Sequence, residues 1–310
     1  MYKQKGFSQS IMSILVMILI TFSTTLSSKE LLVLLSDDQK IHNEISALIV
    51  NQSSLTVTTR LYHEHTRSAE YSDNKVILSI GTRACNKALE NLESNEKVVC
   101  TLIPAQTYKA LITKHSITDN KAHRVTAVFM DQPIDRQIAL ARLVSPNAKS
   151  IGTVFGQTSV AQRAEFERIG LLSNFETHIA FLDEAQNPVQ ILTPLIQRSD
   201  VFLAIPDNAN FNRSVSRWAL YITLRNKIPL IGFSSSYSEA GAVVSLYSTT
   251  EQLAYQTHET IVTLLNSETL VPAAYPNDFT IMINESTART LRMNLPDSQE
   301  LSKQLKEIHK

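Results

Sequence analysis

Asp207 and Asn208 follow a proline that closes a continuous apolar run, Val201 to Ile205. Such a run reads as a strand buried on both faces, so the two polar side chains stand at its carboxyl end, where parallel sheets present ligand-binding groups. A carboxylate there can pair with a ligand ammonium, or it can satisfy its own turn and cap the helix that follows. Both roles are open to Asp207. A second apolar run, Leu230 to Phe233, ends in Ser234-Ser235-Ser236-Tyr237. The serines resemble a nucleophile run only in composition, and their place at a strand tip suits hydrogen bonding to a ligand. Phe233, Tyr237 and Phe155 could cover an apolar part of it. Gly81-Thr82 follows a third strand, Val76 to Ile80, and opens a helix. Glycine permits the tight turn, and the free N–H groups of the helix start can seat a carboxylate or merely begin the helix. Ser36 stands at the tip of the run Leu31 to Leu35 as a ligand contact, with Asp37 and Asp38 behind it as helix caps.

Catalysis and metal binding find less support. No Gly-x-Ser-x-Gly elbow, His-Glu-x-x-His pair or phosphate loop occurs in the chain. His63-Glu64-His65 would put two imidazoles on one face of an extended segment, which a metal could use, but no third ligand follows by spacing. The segment therefore reads as a solvated loop, and no metal or other cofactor is expected. Cys85, in the first turn of a helix, and Cys100, near the end of the neighbouring strand, lie toward the same sheet edge. They could close a loop of about 15 residues as a disulfide, or remain two buried thiols.

The elements that must position these residues alternate. After Pro206 the period changes, and Phe211, Val215, Trp218 and Ile222 fall on one face of a helix from Asn210 to about Asn226. Strand, helix and strand with short joints make a right-handed parallel crossover. Earlier, Ile41, Ile45, Leu48 and Ile49 form a helical face, Leu55 to Leu61 alternates as a strand, and Val98 to Leu102 is a strand ended by Pro104-Ala105-Gln106. Arg124 to Met130 is strand-like, Ile134 to Val144 a helix, Ile151 to Phe155 a strand, Val160 to Leu172 a helix, Thr177 to Leu182 a strand, and Pro188 to Arg198 a helix opened by its proline. Glu300 to Lys310 reads as a frayed surface helix. The alternation predicts an α/β protein with parallel sheets.

The chain has 310 residues, enough for one large or two ordinary domains. At its start, Lys3 and Lys5 precede an uncharged apolar run from Ile11 to Phe22 and then small polar residues up to Ser28. The run is well short of the roughly 20 residues that span a bilayer, so it reads as a cleaved secretory signal, with a short uncleaved anchor as the other reading. Removing residues 1–28 takes away two of the 29 basic residues and none of the 29 acidic ones, leaving a net charge of −2. That balance gives no reason to expect nucleic acid or an anionic membrane as partner.

Val201 to Ile205, Pro206-Asp207-Asn208, the helix, Asn226-Lys227-Ile228-Pro229, the next strand and Glu239-Ala240-Gly241-Ala242 together resemble the second lobe of ABC-transporter substrate-binding proteins. The resemblance is to the branch related to tryptophan and other aromatic amino-acid binders. Val144 to Gly152 upstream, and Thr280 to Asn284 with Ala288 to Leu295 downstream, agree with it, so it covers about Val125 to Pro296. It implies a two-lobed, type I periplasmic-binding-protein-like fold, each lobe a parallel sheet between helices, with a crossover hinge. Residues 29–128 plus 247–278 would form lobe 1, 129–246 plus 279–298 lobe 2, and 299–310 a C-terminal tail after a signal peptide at 1–28. The first lobe looks trimmed, because Tyr62 to Asn74 lacks the helix the family usually has there.

The resemblance also implies a cleft. Asp131-Gln132-Pro133 stands where the family crosses between lobes, and Asp207 matches its ligand-facing acid. Gln106, Asp131 and Gln157 join the ligand contacts expected above. Two departures fall in the same region: Ile103 replaces an acid before the proline, and Phe155-Gly156-Gln157 replaces Asn-Pro. The implied function is periplasmic capture of a small amino-acid-like or organic ligand by domain closure, for an inner-membrane ABC permease. The alternative is a ligand-sensing adaptor docked on a membrane signalling protein. No enzymatic activity is implied.

Overall fold

The continuous apolar runs form the strands of two separate sheets. The computed structural model describes residues 30–309 apart from 54, 66–74, 91, 95, 208–212 and 267–270. The predicted leader, Asn208 and Phe211 lie outside the described residues. In lobe 1, β1 (Glu30–Leu35), β2 (Thr56–Leu61), β3 (Lys75–Ile80), β4 (Glu96–Ile103) and β5 (Val125–Phe129) pair in parallel in the order β2-β1-β3-β4-β5. In lobe 2, β6 (Ser150–Phe155), β7 (Glu176–Phe181), β8 (Val201–Leu203), β9 (Leu230–Gly232), β10 (Val244–Tyr247) and β11 (Thr280–Ile283) take the order β11-β10-β9-β8-β6-β7. Among the described residues only β11 runs antiparallel to its neighbour. Helices cover both faces of the central strands, which is why β1, β3, β4, β5, β6 and β8 are buried along their length rather than alternating, whereas the edge strands β2 and β7 are more polar and partly exposed.

Both sheets are sandwiched. On one face of the first, Ile45 and Ile49 of helix Lys40–Gln52 pack with Leu253, Ile261 and Leu264 of helix Thr250–Asn266. On the other, Ala84, Cys85 and Ala88 of helix Thr82–Glu90 pack with Tyr108 and Leu111 of helix Ala105–Lys114. The second sheet is covered by helix Ile134–Val144, with Phe166 of helix Arg163–Leu172, on one face. Helices Pro188–Gln197 and Arg213–Arg225 cover the other.

The chain passes between lobes at 130–133, 248–249 and 275–279, and polar side chains tie these crossings together. Gln132 Nε2 donates to Ser248 Oγ at 2.8 Å, and Ser248 Oγ donates to the Asp278 carbonyl at 2.7 Å. Arg136 Nη1 donates to Gln132 Oε1 at 2.6 Å and to the Pro276 carbonyl at 2.8 Å, while its guanidinium sits 5.0 Å from the Phe279 ring centre.

Several local expectations are corrected. The C-terminal helix, Ser298–Ile308, is not frayed: Leu301 and Leu305, four apart on one face, are fully buried against lobe 2, and Asp297 Oδ1 accepts the N–H groups of Gln299 and Glu300. Trp218 is exposed, because Val215, Ala219 and Ile222 supply the buried face and Trp218 instead meets Tyr221 edge-on at 5.9 Å. Ile41 is likewise exposed, with His42 and Ser46 taking its place in the buried face. Gln39, not Asp37 or Asp38, occupies the N-cap of that helix. Asp37 Oδ1 accepts the Gln39 N–H at 3.1 Å. Tyr62–Glu64 forms a 3-10 turn rather than an extended segment, leaving His63 exposed and His65 buried on different sides. Among the described residues no three metal-ligating side chains gather.

Candidate functional site

The carboxyl ends of the strands in the two lobes face each other, and polar residues from both meet there. At the end of β4 the register shifts between Thr101 and Ile103, with Leu102 in the left-handed region at φ 53°. This bulge re-aims the chain so that Pro104, Gln106 and Thr107 border the cleft. Asp131 comes from the first crossing, and Thr158, Gln162 and Pro206 from lobe 2. Where they converge the space is about 10 Å³, roughly room for one water.

Asp131 is only 9% exposed. Its Oδ1 accepts the Ala105 N–H at 2.8 Å, satisfying one of the free donors at the start of helix Ala105–Lys114. Burial pushes its carboxyl up to about 6, against the opposing pull of the Ala105 and Asp131 N–H groups and the Lys109 charge. The folded protein therefore holds this proton at pH values where the unfolded chain has lost it. The group's contribution to stability is full below about pH 4 and is lost as pH rises through about 6. Tyr275, nearby, has its hydroxyl pushed up by burial first and by the Asp131 charge next.

Asp207 is engaged within lobe 2. It is 3% exposed, and its Oδ2 accepts from the Thr158 N–H at 3.1 Å, the Ser159 N–H at 2.7 Å and the Ser159 hydroxyl at 2.7 Å. Ser159 Oγ in turn accepts the Gly156 N–H at 2.9 Å. The carboxylate thus folds the loop after β6 onto the end of β8, and in doing so places Thr158 and Gln162 in the cleft. Ser36 is similarly engaged: its hydroxyl accepts the Ala84 N–H at 2.9 Å and so occupies part of the helix start next to Gly81 and Thr82. Gly81 has φ 88°, and a Cβ there would lie 2.6 Å from Ser36 Oγ and 2.7 Å from His42 Nε2. Glycine is required both by the turn and by this close approach.

Residues 41–307 match the family model for ABC transporter substrate binding proteins. The chain belongs to that family. This is a family of binding proteins rather than enzymes. A tyrosine-binding protein of Clostridioides difficile (strain R20291) is 23% identical over 167 residues, 52% of this chain and 47% of the relative. The chain spans about half the length of that curated relative. Among solved structures, a ligand-free, open substrate binding protein with adhesive properties from Clostridium difficile matches with a TM-score of 0.70 at 18% identity, over 88% of this chain and 98% of that one. An ABC domain in complex with L-Trp from Streptococcus pneumonia matches with a TM-score of 0.63 at 16% identity, over 89% and 98%. At these identities the structural matches establish the type I periplasmic-binding-protein-like fold.

In this substrate-binding-protein frame the residues singled out in the sequence divide. Gln106 and Asp131 border the interlobe space. Phe155 does not: it is buried in lobe 2, edge-on to Phe166 at 5.9 Å, because its side chain points into the sheet–helix layer. Gln157 is exposed beside Thr158. Phe233, Ser234 and Tyr237 line a separate pocket of about 520 Å³ within lobe 2, with Ser216, Arg217 and Leu220. Its residues are drawn inward because helix Ser235–Ala240 starts directly after β9 and the Tyr237 hydroxyl bonds Ser216 Oγ at 2.7 Å. Thr107, Thr158, Gln162 and Pro206 were not foreseen as lining residues, since nothing in their types separates them from ordinary loop residues.

Proposed function

We propose that the chain is the exported solute-binding component of an ABC uptake system, holding an amino-acid-like ligand between its lobes and delivering it to an inner-membrane permease. The observation that carries this reading is the convergence of Gln106, Thr107 and Asp131 with Thr158 and Gln162 from the opposite lobe at a three-stranded crossing. The tyrosine-binding relative and the L-Trp complex of the structural neighbour support an amino-acid-like ligand. Rotation about the crossings tied by Gln132, Ser248 and Arg136 would open room for ligand, and contacts from both lobes would then favour the closed form in proportion to the ligand's differential affinity. A thermal-shift screen of the amino acids, followed by calorimetry, tests it. A raised melting temperature with saturable binding of one amino acid is the expected result, and no shift with any of them would overturn the ligand class.

Export rests on the short apolar run Ile11 to Phe22 between Lys5 and Ser23. The Cys85–Cys100 disulfide suits an oxidising compartment and supports the same reading. Among the described residues no helix is long and apolar enough to cross a membrane. The protein recovered from cells is expected to begin near Lys29. N-terminal sequencing that returned Met1 on a membrane-bound product would refute this.

A further inference from the structure

We infer that the outer face of helix Arg213–Arg225 is a docking surface for an anionic phospholipid bilayer, with the Arg217 and Arg225 guanidiniums as its headgroup contacts. At about 3.6 residues per turn, Arg217, Trp218, Tyr221, Leu224 and Arg225 fall within about a third of the helix circumference, turned away from the buried Val215, Ala219 and Ile222. Trp218, Tyr221 and Leu224 are 40%, 54% and 42% exposed, and both arginines are exposed with them. Trp218 meets Tyr221 edge-on at 5.9 Å, and Arg225 Nη1 donates to the Tyr221 hydroxyl at 3.4 Å, so rings and charges form one surface. The helix contains three arginines and no acid. Among the described residues neither Arg217 nor Arg225 forms an ion pair. The neighbouring helix Pro188–Gln197 carries no charged residue and turns Gln190, Pro194 and Gln197 outward. Arg198 and Lys227, exposed just past the ends of the two helices, extend the basic surface. Asp200 beside them already accepts the Lys149 and Ser150 N–H groups. On the other flank the acid is Glu239 of helix Ser235–Ala240, whose charge reaches Tyr247 of β10.

A near-neutral chain thus carries one face of a single sign, and the arrangement of that face says what covers it. A second copy does not fit, because two such helices laid antiparallel about a twofold axis would set the arginines of both copies against each other. An interface with another protein gathers its apolar groups in a centre depleted of charge. Here Arg217 adjoins Trp218 and Arg225 adjoins Leu224, so the face has no uncharged centre. At a bilayer surface the same interleaving is favourable. Phosphates pair with the guanidiniums at the depth where Trp and Tyr keep a polar tip in water and a ring among acyl chains. The row from Arg217 to Arg225 is about 12 Å long, and the convex helix lets all five side chains reach a flat surface together. Arg217 also lines the pocket of about 520 Å³, whose Ser216, Ser234 and Ser236 hydroxyls can donate to the same phosphate. None of the five face residues lines the interlobe space, so the surface is free whether or not the cleft is occupied. Two arginines and three apolar side chains make a reversible, salt-sensitive attachment that holds the protein at a membrane surface.

Trp218 is the chain's one tryptophan, so its emission reports this face directly. The protein recovered from cells is titrated, at about 0.1 M salt, with vesicles of phosphatidylglycerol and with vesicles of phosphatidylcholine. Phosphatidylglycerol should shift the Trp218 emission saturably to shorter wavelength, phosphatidylcholine should not, and salt at about 1 M should reverse the shift. The double variant Arg217→Gln, Arg225→Gln should bind the anionic vesicles about thirtyfold more weakly, at about fivefold per arginine. Its melting temperature should not change, because both side chains are exposed. Arg163→Gln with Arg168→Gln removes the same charge from exposed sites on another helix of lobe 2 and should leave the shift intact. An emission that stays put with both lipids, or moves equally with both, overturns the bilayer assignment, as does a shift that survives in the Arg217→Gln, Arg225→Gln protein. Sedimentation with vesicles while the emission stays put would move the attachment to the apolar run Ile11 to Phe22 and overturn it likewise. A shift with native membranes but not with vesicles of their extracted lipids would give the face to a membrane protein instead.

Discussion

Asp207→Ala is expected to cost about 3–4 kcal/mol of stability, because it strips a buried carboxylate from three donors at once. Hydrogen bonds to a charged acceptor contribute about 1.5–3 kcal/mol, and each buried donor left unpaired costs about 1–3 kcal/mol. The Thr158 N–H, the Ser159 N–H and the Ser159 hydroxyl all lose their acceptor, and Ser159 itself is 1% exposed, so water cannot simply replace it. Asp207→Asn should be milder, since an amide oxygen keeps one acceptor in place. Urea unfolding monitored at constant slope gives the difference in midpoint. A double-mutant cycle with Ser159→Ala should return a coupling of about 0.5–3 kcal/mol, as expected for residues in one network. A variant whose unfolding midpoint is unchanged while its ligand affinity collapses would return Asp207 to the ligand-facing role.

That cross-loop network marks where the sequence stops being informative. The partner of Asp207 lies 48 residues upstream, on a loop after a different strand. A Pro-Asp-Asn turn reads locally as a self-satisfied or helix-capping acid, and no local pattern announces a donor from another loop. Ser36 behaves the same way toward Ala84, again 48 residues distant. The layers themselves were legible because their signals are local. A strand covered by helices on both faces has no polar alternation, so Leu31 to Leu35, Val76 to Ile80 and Val201 to Ile205 could be read directly. Helix Ile134–Val144 runs between Pro133 and Ser145-Pro146, where both ends carry strong stop signals.

Periodicity alone did not decide which side of a helix is buried. Trp218 fits the stripe through Val215 and Ile222, yet Ala219 holds the centre of the contact and the larger ring is left on the flank. In the C-terminal helix only Leu301 and Leu305 reach the core, so the stripe is one residue wide and the polar surroundings dominated the reading. For the cleft, Gln106 and Asp131 were visible as polar residues at a strand tip and a crossing. Thr158 and Gln162 were not, because their placement depends on the Asp207 network rather than on anything in their own neighbourhood.

Reducing the Cys85–Cys100 disulfide is expected to remove about 3 kcal/mol from lobe 1, and the reason lies mainly in the unfolded chain. The bridge joins helix Thr82–Glu90 to β4 across a Cα–Cα distance of 5.5 Å and a sequence separation of 15. Both residues are fully buried among Leu34, Ile77, Ala88 and Val98, and the Ser79 hydroxyl lies 3.2 Å from Cys100 Sγ. Two thiols would fill nearly the same volume, so the folded state loses little packing. What is lost is the restriction on a loop of about 15 residues in the unfolded ensemble, worth about 3 kcal/mol on the chain-entropy estimate. For a protein of this size that is a fall of roughly 6–12 °C in melting temperature, measured after reduction in denaturant and refolding with the thiols kept free. Burial also predicts that reductant added to the native protein acts only as fast as lobe 1 opens, so adding an amino acid that closes the cleft should slow the reduction. Replacing both residues by alanine should cost more than reduction, because it adds cavities to the same entropic loss. Free, readily alkylated thiols in native protein recovered from cells would remove the bridge and this prediction together.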